Sequence, residues 1–413
     1  MKDVIFKIHK LGPVENVEIK FAPMVILTGE SSLGKSYVNY LFYYFTSFFY
    51  NLQNYKLLVQ PIDLSKGTQT FFIKKSLLED TLHNGLEDFM RNFLGDDTFK
   101  CDVEFLLPSV LEEMKFSYSI KASDLEMEND KELLFSFSGG MKINFKLGNI
   151  DERHILACLR LSFVNYLFDG NLHSPIILPP GRGAFVGENF SVKNSISSSM
   201  GMYNDFFSQY DSATLPSANS KKLDDAFLRM MQDLIGGQLI TDKNKQYFVM
   251  EDGKQISLNA AASSIKEISP FLFYLKNKFD RMCFVCFEEP EAHLHPSMQI
   301  TLADLVAAYH NKGASFQITT HSDYFLARIN QLIKLNELGN KKDSIAEKIG
   351  TSPISALDKS NIAAYFFYRD EEKNVKVKQL SVTKHGIPFA TFFDVINKQQ
   401  DENDLLDDML ENI

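Results

Sequence analysis

The stretch Met24-Val-Ile-Leu-Thr-Gly-Glu-Ser-Ser-Leu-Gly-Lys-Ser36 constrains the fold more than any other. Apolar and β-branched residues run into Gly29, a short loop follows, and Lys35 and Ser36 open a segment, Tyr37 to Leu52, without a charge or a helix breaker. This predicts strand, loop and helix. The spacing Gly29-x-x-x-x-Gly34-Lys35-Ser36 fits a nucleotide-phosphate loop in that context. Gly29 and Gly34 let the backbone turn tightly and bring N–H groups onto phosphate oxygens. The new helix points its partial positive end at the same anion. Lys35 adds a cation for the β and γ phosphates, and the Ser36 hydroxyl is a hard oxygen suited to Mg²⁺. The residues expected to line the phosphates are therefore Gly29, Glu30, Ser31, Ser32, Leu33, Gly34, Lys35, Ser36 and Tyr37.

At 413 residues the chain can build one large domain or two medium ones. Its 36 Phe and 16 Tyr, with no Trp, read as core packing, because a base-stacking role would interleave the rings with basic residues. A formal charge of -10 argues against a protein that coats nucleic acid, while leaving room for a local basic groove at Lys243 with Lys245 or Lys341 with Lys342; a solvated face is the preferred reading of both pairs. Four scattered cysteines make no disulfide framework, and no secretion signal opens the sequence, so a reducing cytoplasm is expected. Cys283 and Cys286 have zinc-like spacing but sit in an apolar strand, where residues three apart face opposite sides, so they are read as core. Tyr37–Leu52 is shorter than the roughly 20 residues of a spanning helix and is read as buried, with no membrane segment expected.

In order along the chain, Asp3–His9 and Val17–Phe21 alternate as half-buried strands and are expected to form, with the phosphate-loop strand, a three-stranded antiparallel entry. Residues 55–258 read as an inserted helical and β lobe, with a helix at Leu77–Leu94, strands at Lys115–Ile120, Leu133–Ser138 and Met141–Leu147, a turn at Gly139-Gly140 and a helix near Ile150–Phe168. An apolar strand from Ser174 ends in a Pro/Gly turn carrying Arg182, either a phosphate or partner contact or a solvated turn residue. Phe185–Lys222, rich in Ser, Asn and Gly, is expected to be a mobile loop. A helix follows Asn259, with Ser264 and Glu267 spaced as a capping box and Pro270 expected to kink it.

Met282-Cys-Phe-Val-Cys-Phe-Glu-Glu-Pro-Glu-Ala-His-Leu-His-Pro296 supplies the second half of the site. A buried apolar strand releases two adjacent carboxylates at its end, where open α/β sheets bind ligands. Glu288 suits Mg²⁺, and Glu289, pointing the other way, suits orientation or deprotonation of an attacking water. His293, His295 and the later His321 are not expected to hold a metal. The strand Ser315–Thr320 ends at His321, placed to touch a γ-phosphate. Strands at Ile362–Arg369 and Val375–Leu380 follow, then a helix near Phe389–Asn397 and an acidic tail, Asp401–Ile413, either frayed or a short docking helix.

Taken in sequence, these motifs resemble the ABC-type ATPases of the SMC-like and RecF-like group, and within it the OLD-family proteins and the ATPase subunits of bacterial phage-defence systems of PtuA-like or AriA-like kind. The resemblance lies in Gly29–Ser36 as Walker A, Phe284–Glu289 as Walker B with its Pro290–Pro296 extension, Thr319-Thr-His-Ser322 as a histidine switch, and Ser263-Ser264 at a signature helix. It implies an α/β fold, an ABC-type P-loop nucleotide-binding domain with a mixed sheet and an inserted α+β lobe, its core halves at 1–54 and 259–413. It implies ATP and Mg²⁺ as cofactors, catalytic roles for Lys35, Glu289 and His321, metal ligation by Ser36 and Glu288, and contact of Ser263 and Ser264 with ATP in trans across a homodimer or higher homo-oligomer. Ile265 stands where the group has glycine, and Glu288 where it commonly has Asp; slow or regulated hydrolysis is the expected consequence. Fewer than about a hundred residues follow His321, less than a typical domain, so a sensor or scaffold ATPase acting through a separate effector protein is expected. The alternatives are a RecF-like DNA-binding repair ATPase, nucleic acid being possible but not required, and an interaction protein that binds ATP without hydrolysing it.

Overall fold

The computed structural model describes residues 4–108, 112–122, 131–137, 140, 142–147, 149–168, 174–186, 200–215, 223–243, 245–278, 283–388 and 391–411. The alternating start builds an antiparallel hairpin, β1 (Ile5–Leu11) and β2 (Val14–Lys20), whose inward residues Phe6, Ile8 and Ile19 are buried. The strand β3 (Met24–Gly29) does not join that hairpin. Its residues Met24 to Leu27 are all fully buried, a pattern suited to parallel neighbours with both faces covered. From Lys35 the chain enters α1 (Lys35–Tyr50), then β4 (Thr68–Lys74), α2 (Lys75–Leu94) and β5 (Cys101–Leu106). β5, and not β3, is the third strand beside β1, so the expected antiparallel entry of three successive strands is corrected. Alternation was the shared signal of β1 and β2, and β3 lacks it.

The rings account for the aromatic composition. Phe6 lies 5.1 Å from both Phe42 and Phe45 of α1 and 5.4 Å from Phe105 of β5, so the small sheet is clamped on the helix that follows the phosphate loop. Phe6→Ala would leave a cavity at this junction. It is expected to lower stability by about 3–5 kcal/mol, read by denaturant unfolding; a loss below about 1 kcal/mol would show that the clamp is not structural.

A second antiparallel sheet, order β4-β6-β7-β8, adds β6 (Glu113–Ala122), β7 (Lys131–Phe137) and β8 (Lys142–Leu147), with α3 (Glu152–Phe168) against it through a Phe116–Phe163 stack at 5.4 Å. Ser138, Gly139 and Met141 of the expected hairpin lie outside the described residues. Next come β9 (Ser174–Leu178) and α4 (Gly201–Thr214). The helix corrects the expectation of a loop across Phe185–Lys222: Met202, Phe206 and Tyr210 recur four apart and turn one buried stripe inward. The Ser and Asn content masked that stripe. Residues 187–199 and 216–222 of the same stretch lie outside the described residues.

The chain continues through α5 (Asp225–Ile235), the meander β10 (Gly237–Asp242), β11 (Lys245–Met250) and β12 (Gln255–Ser257), α6 (Ser263–Lys278), β13 (Cys283–Glu288) and α7 (Pro296–Asn311). Met282 lies outside the described residues. Then follow β14 (Ser315–Thr320), α8 (Asp323–Glu337), α9 (Lys342–Lys348), β15 (Ile362–Arg369), β16 (Val375–Leu380) and α10 (Thr391–Glu411). α10 corrects the division into a helix ending near Asn397 and a separate acidic tail from Asp401: it is one 21-residue helix, exposed at Leu405, Leu406, Met409 and Leu410, and Phe389 lies outside the described residues.

The main sheet has the order β16-β15-β3-β14-β13-β9. β15, β3, β14, β13 and β9 run parallel and only β16 is antiparallel. The fold is therefore α/β with a mixed sheet around a P-loop. Two strands of the 55–258 stretch belong to sheets shared with the chain ends, β5 beside β1 and β9 beside β13. Among the described residues no helix is long and apolar enough to cross a membrane.

Candidate functional site

Because the five consecutive strands from β15 to β9 are parallel, their C-terminal ends open on one side, where such sheets take ligands. β3 delivers the phosphate loop there, β13 delivers Glu288 and Glu289, β14 delivers His321, and β9 leads to Arg182. Register aligns the pieces: Glu288 pairs with Thr319, and Thr28 with Thr320.

The loop has the backbone its glycines permit. Gly29, at φ 122, passes so close to β15 that an added Cβ would meet the Phe367 carbonyl oxygen at 2.0 Å. Gly34, at φ 91, sits under Val14, 2.7 Å from where a Cβ would fall. Glu30, Ser31 and Ser32 form an exposed crest, whereas Leu33 is buried in the core and offers the site only its backbone. The Tyr37 ring lies against Phe99 at 5.3 Å and beneath the Gly12 turn, on the hairpin side of α1.

Lys35 Nζ donates to the Gly29 carbonyl at 3.2 Å and the Glu30 carbonyl at 2.5 Å, folded back over its own loop. Burial pushes its pKa down to about 8, against the pull of Glu289, Glu288, Glu291 and Glu30. An ammonium kept charged with difficulty gains strongly from an arriving anion.

Ser36 and Glu288 meet directly: Ser36 Oγ donates to Glu288 Oε2 at 2.6 Å. Glu288 is 1% exposed, and its carboxylate also accepts from Thr319 Oγ1 at 3.0 Å and from the amide of Asn39. Burial raises its pKa, with Ser36, Asn39 and Thr319 opposing and Glu289 adding to the rise. Asn39 Oδ1 is buried without a hydrogen-bond partner. A hydroxyl, a desolvated carboxylate and an amide oxygen with spare capacity form a hard-oxygen set that fits Mg²⁺, whose remaining positions go to phosphate oxygens and water. Among the described residues no three His, Cys, Asp or Glu form a protein-only metal cage.

Glu289 occupies a left-handed backbone at φ 42, held by its N–H on the Thr319 carbonyl at 3.0 Å and on Thr319 Oγ1 at 3.2 Å. This kink, rare for a residue with a side chain, turns the Glu289 carboxylate away from the buried pocket of Glu288 and toward Lys35, on which it acts more strongly than any other carboxylate. The pKa of His321 is lowered by burial and by Lys35, with Glu289 and a hydrogen bond to the Gly29 backbone opposing, so its imidazole is neutral at pH 7. The His321 backbone N–H donates to Glu291 Oε1 at 2.7 Å, an oxygen that also accepts from Thr320 Oγ1 at 2.8 Å.

Arg182 fits neither of its two expected roles. It is fully buried, with its guanidinium 4.8 Å from the Phe287 ring. It donates to the carbonyls of Glu267 at 2.9 Å, Pro179 at 3.1 Å, Glu288 at 2.7 Å and Glu289 at 3.4 Å, and faces Glu267 Oε1 at 3.5 Å. Burial lowers its pKa while Glu267, Glu291, Glu288 and Glu289 hold it charged. It is a strut between α6 and the end of β13. The capping box is corrected with it: Glu267 Oε2 accepts from the Gly183 N–H at 2.8 Å instead of turning back to its own helix start. Ser263 is exposed and Ser264 half-exposed at the start of α6, while Ile265 is buried.

The hydrogen bonds among the site residues involve neither His293 nor His295. His293 is exposed, and His295 caps α7 through Ser297. Cys283 and Cys286 are buried on opposite faces, toward Tyr309 and the Asn39 carbonyl, with burial pushing Cys283 up to about 12 and Cys286 higher than usual. Asn39 stands outside every quoted motif, Thr319 and Glu291 lie inside quoted motifs with no role of their own, and the sequence places Arg182 only at a turn. Asn39 alone had a local signal, a polar residue three after Ser36 inside an apolar helix.

Residues 190–326 match the AAA ATPase domain family. The matched third of the chain contains α6, Glu288, Glu289 and His321 and stops short of the phosphate loop in the sequence. No curated protein matches the sequence. Among solved structures, the chain is similar to an SMC head bound to the C-terminal winged-helix domain of ScpA, at 12% identity and a TM-score of 0.38 over 92% of this chain and 98% of that one. It is similar to the SMC head domain from Thermotoga maritima at 8% identity and 0.34, over 92% of this chain and 100% of that one. An SMC head with an extended coiled coil, bound to the C-terminal domain of ScpA derived from Pyrococcus furiosus, matches at 10% identity and 0.37, over 96% and 98%. An ATPase domain implies a bound nucleotide; the α/β class itself rests on the strand order given above.

Proposed function

We propose that this chain binds ATP with Mg²⁺ at the Gly29–Ser36 loop, hydrolyses it slowly, and uses the ATP state to close a homodimer that controls a separate effector, as in bacterial phage-defence ATPases. The single observation that carries this reading is Ser36 Oγ lying 2.6 Å from the buried Glu288 carboxylate, at the mouth of a parallel sheet and beside Lys35. Bound there, the ion would neutralise phosphate charge. Ser36 and Glu288 would hold it, and Asn39 and Thr319 would keep the Glu288 carboxylate in place. Lys35 would swing from the loop carbonyls to the phosphates. Glu289 would orient the attacking water and take its proton, and neutral His321 would read the γ-phosphate position. Ser263 and Ser264, exposed at a helix start, would meet ATP held by a second copy.

Lys35 supplies the test. Lys35→Ala is expected to lower ATP affinity by about 1.5–3 kcal/mol, tenfold or more, in calorimetric titration. In the wild-type protein affinity should fall as pH rises through about 8, where the ATP-free ammonium loses its proton. Binding then takes up a proton, because phosphate charge raises the Lys35 pKa; the heat should vary with the ionisation enthalpy of the buffer. Affinity unchanged in Lys35→Ala would remove the loop from the site. A partner that co-purifies with the ATP-bound form would support the effector role, and full protection of cells by this protein alone would defeat it.

A further inference from the structure

The buried helix α1 carries a polar ridge, Ser36, Asn39, Tyr43 and Ser47, spaced three or four apart. Its first two members hold Glu288. The last two open on a separate cavity of about 590 Å³, at the other end of the helix, where α1, α2, α4 and the start of β9 converge. Eleven residues separate Ser36 from Ser47, roughly 16 Å along a helix, so this space is not an extension of the phosphate site. Its volume is in the range of small-molecule sites, about 300–1,000 Å³.

The lining is specific. Tyr43, Tyr44, Phe48 and Phe89 supply ring surface, with Phe89 4.9 Å from Tyr44. Gly85 makes room on α2, since a Cβ there would lie 2.7 Å from the Tyr44 hydroxyl. Asp205 is the ionisable carboxylate of the lining. It accepts from Tyr43 Oη at 2.9 Å, and Gln209 fixes that hydroxyl at 2.9 Å while bonding the Pro175 carbonyl and the Ile177 N–H of β9. Burial raises the Asp205 pKa, and among the described residues no Lys or Arg pairs with it. Ser47 Oγ, also in the lining, is buried with no hydrogen-bond partner. Arg160, which is not in the lining, stacks over the lining residue Tyr50 at 5.3 Å and donates to its carbonyl at 3.4 Å.

An anionic ligand would meet Asp205 with no Lys or Arg among the described lining residues to offset it. A neutral apolar ligand would leave the carboxylate charge met only by the Tyr43 hydroxyl. A cation with an apolar body satisfies both the carboxylate and the rings. We propose that this cavity binds a small organic ammonium ion, its charge on Asp205 and its carbon skeleton against Tyr43, Tyr44 and Phe89.

The test is calorimetric titration of the full chain without nucleotide, with phenethylamine and spermidine as amine probes and 2-phenylethanol as the neutral counterpart of the first. At least one amine should bind, and 2-phenylethanol should bind at least about tenfold more weakly than phenethylamine, the scale of one charged contact. Asp205→Asn, which keeps an acceptor for Tyr43, should weaken the amine by a similar factor. Ser208→Trp, at the exposed lip, should abolish binding with an unchanged Tm. The proposal is overturned if neither amine binds, if the alcohol matches phenethylamine, or if Asp205→Asn leaves amine affinity unchanged. Should Asp205→Asn fail to fold, amine binding that survives Ser208→Trp overturns it.

Discussion

Replacing Glu289 with Gln is expected to cut ATP turnover by about 10²–10⁴-fold, the range for loss of a general base, while ATP affinity stays close to wild type. Gln keeps the size and hydrogen-bonding reach of the side chain but cannot accept the proton of water. The backbone at Glu289, fixed at φ 42 by two bonds from its N–H to Thr319, does not depend on the carboxylate, so the loop geometry should survive. Under the proposed trans arrangement, slow turnover holds the ATP form, and the variant should accumulate as a dimer with ATP and return to monomer on its removal. Phosphate release and light-scattering mass are the two measurements. Unchanged turnover would take Glu289 out of the chemistry. A monomer with saturating ATP would refute the trans site while leaving ATP binding intact. Removing the Glu289 carboxylate also withdraws the strongest negative charge acting on Lys35, so the Lys35 pKa should fall further below about 8 in the ATP-free variant.

The second large effect is expected at Arg182. Arg182→Met keeps much of the volume but deletes the guanidinium that spans Pro179, Glu267, Glu288 and Glu289. It would strand Glu267, whose side chain is 3% exposed, and leave several carbonyls unbonded. Breaking a buried pair from one side costs about 3–5 kcal/mol, which denaturant unfolding would read. Adding Glu267→Gln should return part of that loss, since the uncompensated buried charge is then gone, though the carbonyls remain unbonded. No recovery in the double variant would mean that the carbonyl contacts, not the ion pair, hold this junction. Because the strut joins α6 to the backbone of both glutamates, the single variant should also turn over ATP more slowly than its residual folded fraction explains.

Where the sequence was readable, the signal was local. The phosphate loop needs a strand, two glycines at fixed spacing and a helix start, all within thirteen consecutive residues. β13 and β14 announced themselves as short buried runs that end in polar residues, and β15 and β16 as alternating or apolar segments of strand length. α4 was hidden because its buried stripe, Met202, Phe206 and Tyr210, is set among Ser, Asn and Asp that also suit a loop. α10 was split because acidic residues mimic a tail when nothing in the sequence says where a solvated helix stops.

The placement of β3 and the inward turn of Arg182 had no such signal. A parallel strand finds its partners far along the chain: β3 pairs with β14 and β15, roughly 290 and 340 residues away. The equally long-range pairing of β13 with β14 and β9 puts Thr319 against Glu288, Glu291 under His321 and Arg182 against the backbone of both glutamates. A turn arginine and a capping-box glutamate each look solvated in isolation, and it is mutual burial that makes them a pair. The sequence by itself determined the loop, the strand ends and the chemistry they offer, because those depend on neighbours within a few residues. The tertiary structure alone decided that Asn39 and Thr319 hold the buried Glu288, that the backbone kinks at Glu289, and that Arg182 braces both, because those depend on sheet register and desolvation.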